Sequence, residues 1–109
     1  MLYKCLTLID NNQCFYLGMQ AMPFTYLMTD IQSFYICDII LGHITLPDKS
    51  SQQGWLASWK ERQTTFQGFI DAACAQADYM AELVSECRYP MPWDAESSKK
   101  LFQDWLDMK

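Results

Sequence analysis

Apolar and polar positions alternate at the start of the chain and then change period. Leu2 to Ile9 and Gln13 to Met19 flank the polar triplet Asp10-Asn11-Asn12. Asparagine tolerates the positive φ that tight hairpin turns require, so Asn11-Asn12 is read as a two-residue loop. That register sets Leu8 opposite Phe15, Leu6 opposite Leu17 and Lys4 opposite Met19. Leu2, Leu6, Leu8, Phe15, Leu17 and Met19 then share one face. Tyr3, Cys5, Thr7, Ile9, Cys14 and Tyr16 share the other, and a one-residue slip would destroy the match.

Residues 24–28 read as a short strand after Pro23, and 29–33 as a turn. Residues 34–46 are rich in β-branched and aromatic side chains, which points to a strand buried on both faces. A buried helix starting near Asp30 is the alternative, because periodicity does not separate the two. Residues 47–51 close the sheet region.

Beyond this point the spacing is helical. Ser50-x-x-Gln53 is a capping box, and Trp55, Leu56, Trp59 and Gln63 share the face that follows. Thr64-x-x-Gln67 is a second start signal, so a break is expected at Thr64-Thr65. Phe66, Phe69, Ala73, Ala77, Met80, Leu83, Val84 and Cys87 lie on one side of a long helix. Residues 89–93 stop it, and Asp94 caps a last helix with a buried stripe of Leu101, Phe102, Trp105 and Leu106. Strands first and helices after predict an α+β fold. An N-terminal antiparallel sheet, a hairpin with one or two further strands, packs against about three C-terminal helices. Residues 1–109 read as one domain.

Charge narrows the function classes. The formal net charge is −5, and both halves of the chain are acidic. The basic footprint that direct nucleic-acid binding needs is missing. No apolar run approaches the roughly 20 residues of a membrane span. The five cysteines form no Cys-x-x-Cys and follow no secretory leader, which predicts free thiols in a cytoplasmic setting.

Candidate chemistry is sparse. His43 is the single histidine, which excludes two-histidine metal sites, so no metal and no cofactor are expected. On a strand, Cys37 and His43 would stand roughly 20 Å apart, too far for a nucleophile pair. Asp38 sits among apolar neighbours and needs a partner or an edge position, because an unpaired buried carboxylate is costly. Asp38, His43, Trp55 and Trp59 are the candidate pocket residues. Asp71, Asp78, Glu82 and Glu86 fall in one arc of the long helix, and no base on that helix interrupts them. The bland reading of such a run is a solvated face. The functional reading is a landing strip for a basic protein, joined by Tyr89 and Trp93 as aromatic anchors.

Phosphate-cradling glycine loops and nucleophile elbows are absent. The reading that follows is a small acidic protein-binding module, with enzymatic activity left open, acting by occlusion on a basic partner in the manner of an inhibitor, immunity protein or antitoxin. The alternative is a small-ligand-binding or enzymatic domain whose Trp/Met-lined pocket uses Asp38 or His43. The surplus of aromatic residues, 15% of the chain, suits either a ligand or a homodimer.

Overall fold

The structure, a computed structural model, describes residues 1–18 and 24–108. Three short strands come first: β1 (Leu2–Tyr3), β2 (Thr7–Leu8) and β3 (Asn11–Phe15). Four helices follow: α1 (Thr25–Ile40), α2 (Lys49–Thr64), α3 (Phe69–Glu86) and α4 (Ala95–Asp107). The sheet is antiparallel in the order β1-β2-β3. The α+β class is therefore observed, with one helix more than expected.

The chain reverses earlier than the asparagines suggested. Leu2 pairs with Leu8 and Tyr3 with Thr7, so the first turn falls at Lys4-Cys5. Both residues take positive φ, 50° and 58°, and the Leu6 N–H donates to the Tyr3 carbonyl. Neither residue type favours that region, which costs on the order of 1 kcal/mol or more per residue. The second reversal is at Ile9-Asp10, where Leu8 pairs with Asn11. The Asn11-Asn12 loop is thus corrected: both residues belong to β3. The faces change accordingly. Tyr3, Leu6, Thr7 and Ile9 are buried, while Tyr16 and Leu17 are exposed. Met19 and Pro23, which the sequence reading also used, lie outside the described residues.

The larger correction is α1. Residues 25–40 form a helix, so the two strands expected over 24–28 and 34–46 do not exist. Its end is a glycine stop. Gly42 has φ +81°, its N–H donates to the Ile39 carbonyl, and the His43 N–H donates to the Asp38 carbonyl. These are the paired bonds of a Schellman cap. The α1 sequence is apolar on all sides, which is why its periodicity was mute.

The other helix boundaries follow their capping chemistry. Asp48, rather than Ser50, caps α2 by accepting from the Ser51 N–H. The break at Thr64-Thr65 is observed, and α3 starts at Phe69 after Gly68. Asp94 caps α4 through the Glu96 N–H. Its expected buried stripe is corrected, since no α4 residue is fully buried.

Helix α3 is the central element, packed against both α1 and α4. Ala73, Ala75, Ala77, Tyr79, Met80 and Leu83 are buried along it. The core joins Ala75, Tyr79, Met80 and Leu83 of this set to Leu6, Met28, Ile31, Tyr35, Ile36 and Trp59. Alanines on α3 let the neighbouring helices approach closely.

Three buried glutamines tie loops to this core. Gln32 accepts from the Gly18 N–H and donates to the Tyr79 hydroxyl, which donates to the Lys4 carbonyl. Gln76 accepts from the Phe24 N–H. Gln52 exchanges two amide hydrogen bonds with Asn12 and donates to the Pro47 carbonyl. Each amide satisfies groups that burial would otherwise leave unpaired.

Candidate functional site

The acidic arc of α3 is where the chain concentrates its charge. Lys4 projects from the strained first turn and is only 2% exposed. Its Nζ lies 2.8 Å from Glu82 Oε1 and 2.8 Å from Glu86 Oε2. It also lies 5.6 Å and 5.7 Å from the ring centres of Tyr3 and Tyr35, within cation–π range. The Tyr35 hydroxyl donates to Glu86 Oε2 at 2.7 Å, and the Trp55 indole N–H donates to Glu82 at 3.1 Å. One ammonium thus joins the first turn to α3, with α1 and α2 supplying the remaining donors.

Burial pulls the Lys4 ammonium pKa down, but the bonds to Glu82 and Glu86 outweigh it, and the net direction is up. Tyr35 is raised well beyond the ordinary phenol range, first by burial and then by its bond to the Glu86 carboxylate. Tyr79 is raised by burial. All three groups hold their protons at neutral pH.

The arc continues with Asp78, which pairs with Arg62 of α2 at 2.6 Å and Lys99 of α4 at 2.6 Å. Burial raises its pKa, but the two cations outweigh that and lower it. Asp71 accepts from the Gln67 N–H at 2.8 Å and so helps to start α3. The sequence reading found no base on this helix to interrupt the carboxylates, and none lies on α3; the turn before β2, α2 and α4 each bring one to it. The charges that a landing strip would offer are already engaged.

The aromatic anchors are engaged too. The Tyr89 hydroxyl donates to Asp30 at 2.6 Å, and its ring meets Phe34 edge-on at 5.1 Å. The Trp93 indole donates to the Ala77 carbonyl at 3.0 Å and meets Phe24 edge-on.

The candidate pocket residues separate. Trp55 and Trp59 stack at 5.6 Å and wall a cleft of about 200 Å³ with Arg62, Asp78, Tyr79 and Glu82. Asp38 is not in it. It stands on the last turn of α1, not on a sheet edge, and accepts from the Arg88 N–H at 2.7 Å and the Arg88 guanidinium at 3.3 Å. The Arg88 backbone bond is the main reason its pKa is lowered. His43 is exposed on the rim of another cleft, about 410 Å³, beside Tyr3, Tyr35 and Glu86. A third cleft of about 390 Å³ is walled by Phe24, Leu27, Trp93, Leu101, Phe102 and Trp105, with Ser98 its single polar residue. Among the described residues no His, Cys, Asp or Glu cluster is arranged to hold a metal ion. No described helix is long and apolar enough to cross a membrane.

Sequence reasoning missed Lys4, Tyr35 and the buried glutamines. One signal was available: Lys4 is the only Lys or Arg before residue 49 and stands inside an apolar run.

Comparison with known proteins gives a consistent answer. No protein-family model matches the chain. Two curated relatives align over 99% of it. Trimethylamine monooxygenase of Roseovarius nubinhibens is 42% identical over 112 residues, and that of Methylocella silvestris is 35% identical over 108. The crystal structure of Tmm from a Pelagibacter species superposes on 97% of the chain with a TM-score of 0.90 at 28% identity. The chain spans about a quarter, 24%, of the length of each of these proteins. This overturns the reading of an inhibitor, immunity or antitoxin-like binding module: the similar proteins are monooxygenases, and the enzymatic alternative fits them better.

Proposed function

We propose that this chain works as the helical quarter of a monooxygenase that oxygenates trimethylamine or a closely similar small tertiary amine. In such a reaction one atom of dioxygen goes to the amine and the other leaves as water, with two electrons and two protons drawn from a reductant. The observation that carries the reading is the match of nearly the whole chain, in sequence and in backbone, to one continuous quarter of trimethylamine monooxygenases.

The chain's own part in this reading is to position. The Lys4 clamp locks the small sheet onto α3, while Tyr35 and Trp55 bring α1 and α2 to the same two carboxylates. A clamp of this kind holds a scaffold to the sub-ångström tolerance that catalysis demands of the groups it carries. The Trp55–Trp59 cleft is not assigned to the amine. Its carboxylates Asp78 and Glu82 already pair with Arg62, Lys99 and Lys4, which would compete with an incoming ammonium.

The test is a graft. This chain replaces the matched quarter of the Roseovarius nubinhibens enzyme, and loss of trimethylamine is followed by proton NMR. Turnover within about tenfold of the parent is expected. A folded graft without trimethylamine turnover would refute the reading.

A further inference from the structure

The Lys4 ammonium sits in a cage that other elements build. Glu82 and Glu86 stand one turn apart on α3, with Oε1 of the first and Oε2 of the second each 2.8 Å from Lys4 Nζ. Both carboxylates are oriented by donors that owe nothing to Lys4. The Tyr35 hydroxyl of α1 donates to Glu86 at 2.7 Å, and the Trp55 indole of α2 donates to Glu82 at 3.1 Å. The Tyr3 and Tyr35 rings stand 5.6 Å and 5.7 Å from the nitrogen. Oriented carboxylates and aromatic rings around one nitrogen are the groups that hold an ammonium ligand. The stem of Lys4 is buried along with its head.

The backbone that carries Lys4 is held separately. Its carbonyl accepts from the Tyr79 hydroxyl at 2.6 Å, and the Leu6 N–H closes the turn on the Tyr3 carbonyl. Lys4 has φ 50°, which glycine adopts without the cost of a Cβ. Lys4→Gly therefore empties the cage and asks for no new backbone. Two clefts share the walls of the cage. Tyr3, Tyr35 and Glu86 line the one of about 410 Å³, and Trp55 and Glu82 line the one of about 200 Å³. Either gives a small amine a way to the carboxylates.

We propose that the junction of the first turn with α1, α2 and α3 is a binding site for a linear primary alkylammonium, which Lys4 fills in cis. A primary ammonium brings three N–H donors, enough for both carboxylates at once. Trimethylammonium brings one, and its methyl groups would stand where the carboxylate oxygens lie at 2.8 Å. The cage therefore rejects the amine of the proposed reaction, and the site is separate from turnover. In the parent chain the tethered lysine, at an effective concentration of roughly millimolar or more, excludes free amines.

The probe is n-butylammonium chloride, whose cation is the lysine side chain freed at the Cα–Cβ bond. Melting of the 109-residue chain is followed by circular dichroism in about 100 mM probe against equal sodium chloride. Lys4→Gly should gain about 5 °C or more, the shift that a dissociation constant of roughly 10 mM gives. The parent and Lys4→Met, in which a side chain already fills the space, should gain less than about 1 °C, because no site is free. Trimethylammonium and tetramethylammonium should leave Lys4→Gly nearly unmoved. The n-butylammonium shift should vanish when Glu82→Gln and Glu86→Gln are added to Lys4→Gly; its persistence would place the amine elsewhere and overturn the site. An equal shift in the parent, or with tetramethylammonium, would reveal a general salt effect and overturn it too. Where Lys4→Gly is unfolded in buffer, refolding on addition of n-butylammonium, read by tryptophan fluorescence, supports the site, with Lys4→Ala as a second emptied cage. No response in either variant would overturn the site and leave the enzymatic reading to the graft.

Discussion

Replacing Lys4 by methionine tests the clamp directly. Methionine keeps the unbranched stem that runs beside Tyr3 and Tyr35 and keeps the same positive-φ backbone cost, so the change removes mainly the ammonium. Two charge-assisted hydrogen bonds at 2.8 Å are lost, each worth about 1.5–3 kcal/mol at most. Glu82 and Glu86 are 39% and 42% exposed, so water reclaims part of that value. Their mutual repulsion, one turn apart, adds back about 0.2–0.5 kcal/mol. The balance is a destabilisation of about 2–4 kcal/mol. The sign holds at neutral pH. A lysine whose folded pKa is raised contributes fully below its unfolded value of about 10.4 and loses that contribution only as pH rises through the folded value. Urea unfolding at pH 7, followed by circular dichroism and by tryptophan fluorescence, gives the number. Adding Glu82→Gln and Glu86→Gln to Lys4→Met should recover part of the loss, because no uncompensated charge then remains. A Lys4→Met variant within about 0.5 kcal/mol of the parent would refute the clamp.

Four further outcomes follow from the same geometry. Gly42→Ala should cost about 1 kcal/mol, because the added methyl meets nothing within 4 Å and only the φ of +81° resists it; urea midpoints decide. Tyr89, held by Asp30, should ionise near about 12 in an ultraviolet titration, and Asp30→Asn should return it towards the ordinary phenol value; an unmoved titration would exclude that bond. Asp38 and Asp78 have lowered pKa values, so their contribution is present above about pH 4 and is lost as pH falls through the folded values. Stability should therefore be level from pH 7 to 5 and fall below 4, with a shallower fall in Asp78→Asn; an unchanged acid limb would count against the Arg62–Asp78–Lys99 cluster. Gln32→Leu should destabilise by about 1–3 kcal/mol, since the Gly18 N–H then loses its acceptor and the Tyr79 hydroxyl one of its two partners; a loss below about 0.5 kcal/mol would mean water takes the amide's place.

The sequence by itself determined the α+β class, the break at Thr64-Thr65, the long helix that became α3, and the Asp94 cap. Each rests on chemistry local to a few residues: a cap accepts from N–H groups two or three residues on, and a stripe repeats every turn. It left α1 open between strand and helix, because a segment apolar on all sides shows neither period. The glycine at 42 was the overlooked signal, since it reads as a helix stop and argues against a strand running through it. Only the tertiary structure decided where the first turn falls. Lys4 and Cys5 are poor residues for positive φ, and the turn is stabilised there by carboxylates 78 and 82 positions away. For the same reason the acidic arc looked free from its own helix: its cations come from elements that no local pattern brings near. The clamp, the engaged arc and the separation of Asp38 from the Trp55–Trp59 cleft are long-range facts, fixed by packing around α3.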